Sequence, residues 1–145
     1  MVVAAVNTSG GPPTLGVYAE TIAVTGFNDY DGASGGAGTA PCVTSGGLDD
    51  HFGAYSNTGE WADIMAPGTC IYSTLPGDTY GYKTGTSMAA PHVTGAIALL
   101  KASSPGASRG EAMTWLLANS VAQSDTDGLV EAEIVSNGER VLRLG

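Results

Sequence analysis

Residues 85–100 read GTSMAAPHVTGAIALL, and the reading of this stretch decides the fold. Gly-Thr-Ser precedes a long run of small and apolar residues that ends at Lys101. A run of that length, apolar nearly all round, predicts a buried central helix over 87–101 rather than an amphipathic surface helix. Pro91 falls near the first turn, where a missing N–H is tolerated. Gly95 costs about 1 kcal/mol of helix propensity, so close approach of a neighbouring backbone is its expected use. On local grounds Ser87 is a helix cap. The same place also suits chemistry. The first N–H groups of a helix lack intrahelical partners and the dipole favours negative charge there, so an attacking serine could use its own N–H as an oxyanion donor.

Outward from this helix, residues 2–6 (VVAAV) and 21–25 (TIAVT) are short apolar runs. The first reads as a strand buried on both faces, the signature of a parallel sheet. Further short strands are expected over 52–55, 62–65 and 70–74, with Ala66-Pro67-Gly68 stopping the second of these and a turn over 75–81. Residues 28–50, rich in Gly, Ser and Asp, read as a long surface loop carrying Cys42. Ser108 with Glu111 makes a capping box for a second helix, whose apolar face holds Met113, Trp115 and Leu116. Near the end, EAEIVS and ERVLRL flank Asn137-Gly138, a hairpin signal. Strands alternating with helices make the chain α/β.

At 145 residues the chain suffices for one domain with a core, and 43% hydrophobic against 13% charged residues makes it globular. Five Lys and Arg against fourteen Asp and Glu give a net charge of −9. That balance excludes nucleic acid and anionic membranes as partners, since no basic surface exists to release counterions. No stretch reaches the roughly 20 apolar residues of a membrane span, and the N-terminal run lacks the basic flank of a signal peptide. Cys42 and Cys70 admit two readings, buried free thiols in a reducing compartment or one disulfide in an exported protein. Their loop-like flanks and the acidic, Lys-poor composition favour the disulfide and a secreted protein. Closing that loop would contribute about 3 kcal/mol.

Taken whole, GTSMAAPHVTGAIALL resembles the nucleophile segment of the subtilisin-like serine proteases, peptidase family S8, almost residue for residue. ADIMAPGTCIYSTLPGDTYGYKT at 62–84 is similar to the segment that precedes it in that family. TIAVT and VVAAVNTSG also fit, in the right order, so the resemblance covers residues 2 to about 120. It implies a three-layer α/β fold, a mostly parallel sheet with helices on both faces. It also implies peptide-bond hydrolysis through an acyl-enzyme on Ser87, with Asn7 as the side-chain donor of the oxyanion hole. Ala4, Ala5 and Val6 then resemble the strand lining the pocket for the substrate side chain before the scissile bond. One departure stands out, because the family commonly has glycine where this chain has Val6. A β-branched residue resists φ > 0. Either the pocket is narrow or the register is loose by one residue.

The family orders its triad Asp, His, Ser, with the first two in Asp-Ser/Thr-Gly and His-Gly-Thr motifs. Neither motif occurs in this sequence, and Asp125-Thr126-Asp127 lies on the wrong side of the serine. His92, five residues after Ser87, is turned about 140° around an ideal helix and reads as a packing residue. His51 reads as a solvated loop residue. Residues 1–145 thus resemble the C-terminal part of a catalytic domain, inert alone. The expected partners are a peptide or protein substrate and an N-terminal segment, or else self-association through open strand edges. The alternative is a truncated pseudoprotease that binds peptides by strand pairing. No cofactor is required. The family often carries structural calcium, and the acidic loop at 45–50 and the Tyr18 loop invite that reading; one carboxylate pair is a weak signal beside the six to eight oxygens a calcium ion takes, so structural calcium stays open and no metal residues are assigned.

Overall fold

The computed structural model describes residues 1–43, 47–122 and 140–142. The apolar runs become β1 (Val2–Ala4), β2 (Ile22–Phe27) and β3 (Ile64–Pro67). A hairpin of β4 (Ile71–Leu75) and β5 (Thr79–Lys83) follows, then α1 (Thr86–Ser103) and α2 (Arg109–Ala118). Two short strands, β6 (Ser120–Ala122) and β7 (Arg140–Leu142), complete the main sheet. Its order is β1-β2-β3-β7-β6, parallel except for the β6–β7 pair. All six residues of β2 are buried, as expected of an apolar strand covered on both faces.

One face of the sheet presents Ile22, Val24, Ile64, Ala66 and Leu142 to Ala89, Val93 and Ala96 of α1 and Leu116 of α2. The other presents Phe27, Met65 and Val141 to Phe52 and Val121. The α/β class and mostly parallel sheet stand. Among the described residues both helices pack on the first face, while Phe52, from the loop region, helps cover the second. The capping box of α2 is formed as expected: Ser108 Oγ accepts the Glu111 N–H and Glu111 accepts the Ser108 N–H at 2.7 Å.

β1 is half-buried and pairs only with β2 among the described residues, which leaves its other side unpaired in residues 1–145, as expected if its further neighbour lies outside them. Several expectations need correction. Residues 52–55 make a single bridge, Phe52 to Phe27, because the Gly53 and Ser56 amides turn back to Gly26 and Gly53 carbonyls. β3 runs on through Ala66 to Pro67, where proline is tolerated at a strand end. The turn expected over 75–81 is tighter, with Gly77 and Asp78 at positive φ and β5 already begun at Thr79. The helix is not buried all round. Thr86, Ala89, Val93, Ala96 and Leu100 are buried, whereas Pro91, His92 and Gly95 are exposed and Leu99 is 63% exposed. A Cβ built on Gly95 meets no atom within 4 Å among the described residues, so the expected close backbone approach is not made. The Asn137-Gly138 hairpin and Asp125-Thr126-Asp127 lie outside the described residues.

Candidate functional site

The turn into α1 is anchored from below. The Gly85 N–H donates to Gly68 O at 2.8 Å, and the Gly68 N–H donates to Phe27 O at 3.0 Å. This ties the helix start to the carboxyl ends of β2 and β3. Gly85 is the N-cap, at φ 150, and it caps without a side chain. Ser87 is therefore the second residue of the helix and not its cap. Its N–H and Oγ make no hydrogen bond among the described residues, and the residue is exposed. A free helix-start N–H beside a free hydroxyl is what an attacking serine requires.

Asn7 comes to this turn from the end of β1. Its Oδ1 accepts both the Thr86 N–H and the Thr86 hydroxyl, each at 2.9 Å. With its oxygen held by Thr86, the side-chain amide of Asn7 has its Nδ2 hydrogens left to donate. That nitrogen lies against Gly85, where an added Cβ would sit 2.9 Å from it. Any larger residue at 85 would be strained at this φ and would displace the amide. Val6 takes φ 73 despite its β-branch and is 41% exposed, so the chain adopts the left-handed conformation here without glycine. Ala5 is fully buried, with its N–H donating to Val24 O at 2.9 Å. Ala4 closes β1 and is half-buried.

Beside Ser87 lies a cavity of about 390 Å³, lined by Ile71, Tyr72 and Ser73 of β4 and by Ser87, Met88, Pro91 and His92 of α1. His92 thus shares a cavity with the serine, which the helical wheel did not suggest. Its Nδ1 lies 2.9 Å from Met88 O, and because a carbonyl only accepts, Nδ1 carries the proton. No hydrogen bond joins His92 to Ser87 among the described residues. The three tyrosines Tyr72, Tyr80 and Tyr82 cluster on the hairpin, the Tyr80 and Tyr82 ring centroids 5.9 and 5.0 Å from that of Tyr72.

The loop at 28–50 is better built than its composition suggested. Asp49 and Asp50 are buried. Asp49 accepts the Tyr30 and Gly38 amides, and Asp50 Oδ2 accepts those of Gly35 and Gly36. Burial and the Asp49 charge push the Tyr30 hydroxyl above its usual range. The carboxylates of Asp29, Asp49 and Asp50 lie within 4.8 Å of one another, but Asp29 also accepts the Gly32 amide. Backbone N–H groups hold both oxygens of Asp49 and one each of Asp29 and Asp50, and the three carboxylates could hold a calcium ion only together with further oxygens, since its cage takes six to eight. Cys42 and Cys70 form a disulfide that pins this loop to the residue before β4.

Tyr55 supports the turn from beneath. Its ring fills the space beside Gly26, Gly53 and Gly68, where an added Cβ would meet it within 2.8 Å. Its hydroxyl lies 3.2 Å from Thr69 Oγ1, which donates to Asn28 Oδ1 at 2.6 Å. Burial pushes the Tyr55 hydroxyl up to about 12. Thr86, Tyr55 and Asn57 were missed by sequence reasoning. Thr86 stood beside the serine in the quoted stretch, but the other two carry no local signal.

The family description "Subtilase family" matches residues 1–138. The chain is similar to "Thermophilic serine proteinase" of Bacillus sp. (strain AK1), 53% identical over 51 residues, covering 35% of this chain and 13% of that protein. It is 56% identical over 52 residues to "Subtilisin E" of Bacillus subtilis (strain 168), covering 36% and 14%. With "Subtilisin BL" of Lederbergia lenta the match is 42% over 84 residues, covering 55% and 31%. The structure described as "Crystal structure of a cold adapted subtilisin-like serine proteinase" superposes with a TM-score of 0.69 at 24% identity, over 98% of this chain and 44% of that one. At that identity the likeness concerns the fold alone. The chain spans less than half the length of that structure, and its matches span about a third or less of these relatives.

Proposed function

The chain belongs to the subtilase family, and on that premise we propose that it carries the nucleophile and oxyanion hole of a subtilisin-type serine endopeptidase acting on peptides or proteins. The observation that carries this reading is the pairing of Asn7 Oδ1 with Thr86 beside the open N–H and hydroxyl of Ser87. Ser87 Oγ attacks the scissile carbonyl carbon as a base takes its proton. The carbonyl oxygen becomes an oxyanion held by the Ser87 N–H and Asn7 Nδ2. Collapse breaks the C–N bond, the amine leaves with the proton, and water later hydrolyses the ester on Ser87.

The base and its carboxylate come from a partner segment, because this sequence holds neither of the two motifs that carry them in the family. The exposed side of α1, with Pro91 and Leu99, offers that segment an apolar seat, and β1, paired only with β2 among the described residues, offers it backbone groups to pair with. Pairing of two copies through the same edge is the competing use of this surface. The chain alone hydrolyses nothing measurable, since loss of the base removes most of the catalysis. The Cys42–Cys70 bridge supports export to an oxidising compartment.

Casein hydrolysis tests this reading, measured for the chain alone and mixed with a subtilase segment bearing the Asp and His motifs. Turnover in the mixture only is the expected result. A stable, folded complex without turnover would instead favour a peptide-binding pseudoprotease.

A further inference from the structure

We infer that Asn57 is the positioning residue that aims the oxyanion donor, by gripping the chain on both sides of Asn7. Asn57 is 3% exposed, although it is an amide in a turn-rich segment. Its backbone N–H donates to Val6 O at 3.0 Å, fixing the residue before Asn7. Its side-chain Oδ1 accepts the Thr8 N–H at 2.8 Å, fixing the residue after. The same oxygen accepts the Thr8 hydroxyl at 3.1 Å and the Gly10 N–H at 3.2 Å, and Nδ2 donates to Gly11 O at 2.6 Å. No part of this grip touches the Asn7 side chain, which is left to Thr86.

The arrangement answers a mechanical need. Asn7 is exposed and follows a valine held at φ 73, a conformation that a β-branched residue leaves unless its surroundings fix it. The loop beyond it is rich in Ser, Gly and Pro, with no strand or helix to hold it. Asn57 supplies the restraint from a rigid neighbour. Ser56 Oγ accepts the Gly26 N–H at 3.1 Å and donates to Asn57 O at 3.0 Å, so the grip is referred back to the central strand β2. An oxyanion donor acts only when aimed at the developing charge beforehand. Asn57 acts through Asn7 and does not itself meet substrate.

This inference rests on the reading of Asn7 as the oxyanion donor, and two measurements keep the two claims apart. The first is a double-mutant cycle on the chain complemented with the Asp- and His-bearing segment, reading inactivation by a fluorophosphonate. Asn57→Ala should lower the limiting inactivation rate, by up to about 10²-fold for a misplaced group, with little change in the concentration for half-saturation. In an Asn7→Ala background the same change should cost almost nothing more. Asn57→Asp, which keeps the accepted bonds and loses only the donation to Gly11 O, should recover most of the rate. Equal losses in both backgrounds would overturn the inference and leave Asn57 a general stabiliser.

The second measurement needs no activity. In the uncomplemented chain, the ¹⁵N–¹H signals of the Asn7 side-chain amide should shift and exchange faster in Asn57→Ala than in the wild type, and stay closer to the wild type in Asn57→Asp. Unchanged Asn7 signals in a folded variant would overturn the grip. Shifted signals without any fluorophosphonate reaction would support the grip while sinking the proposed function. Should Asn57→Ala fail to fold, Asn57→Ser, whose short side chain withdraws the acceptor from Thr8 and Gly10, carries both readouts.

Discussion

Asn7 Oδ1 accepts the backbone N–H of Thr86 at 2.9 Å, a bond that spans 79 positions of sequence. It joins the end of β1 to the first turn of α1. On the proposed reading, this bond holds Asn7 Nδ2 close to the helix start that carries the Ser87 N–H.

Replacing Asn7 with Ala should lower kcat of the complemented protein about 10²–10³-fold with KM little changed, a magnitude measured on a subtilisin itself. Steady-state kinetics on a peptide anilide checks it. A rise in KM at constant kcat would show that Asn7 binds substrate rather than the transition state.

Val6 at φ 73 carries strain of about 1–3 kcal/mol, and glycine would relieve it at some entropic cost. Val6→Gly should therefore raise the unfolding free energy by about 1 kcal/mol in urea titrations, net of glycine's penalty. It should also admit larger side chains before the scissile bond, since Val6 is exposed at the site. Unchanged stability would mean that the left-handed geometry is relaxed in solution.

Gly95 has open space around it among the described residues. Gly95→Ala should stabilise the uncomplemented chain by about 1 kcal/mol through helix propensity alone. The same substitution should weaken complementation if the partner segment packs on this side of α1. Thermal melting of the chain and titration of the segment into it give the two numbers, and tighter complementation by the variant would remove α1 from the interface.

Tyr55 is held neutral by burial, its hydroxyl pushed from 10.0 up to about 12. A folded-state value above the unfolded one means the contribution is complete below pH 10 and is lost as pH rises through 12. Stability should fall more steeply across that window in the wild type than in Tyr55→Phe, as read from urea midpoints at stepped pH. Parallel curves would show that Tyr55 is solvated.

Much of this was legible because it is local. The Ser108–Glu111 capping box is three residues of sequence and formed as read. The apolar runs at 2–6 and 21–25 became paired parallel strands because short continuous hydrophobic segments have few other ways to be buried. What was not legible depends on partners distant in sequence. The helix sequence is apolar on all sides, yet the wheel cannot say that one side faces open space. Asp49 and Asp50 fell in a stretch read as a surface loop, because the amides of Tyr30, Gly35, Gly36 and Gly38 that hold their carboxylates meet them only in the folded chain. The Asn57 side chain binds groups 46 to 49 positions away, and Tyr55 packs beside Gly26 from another part of the chain. Val6 was recognised as a departure, but whether valine would take positive φ was a question for the backbone.

The account turns on Ser87 as a nucleophile that is primed here and lacks only a base. Its most direct test is peptide mapping of the fluorophosphonate adduct on the chain, alone and complemented with the Asp- and His-bearing segment. The account predicts one adduct, on Ser87, formed rapidly in the complemented sample and nearly absent without the segment. An adduct on another residue, or none in a complex shown to be folded and assembled, would contradict it.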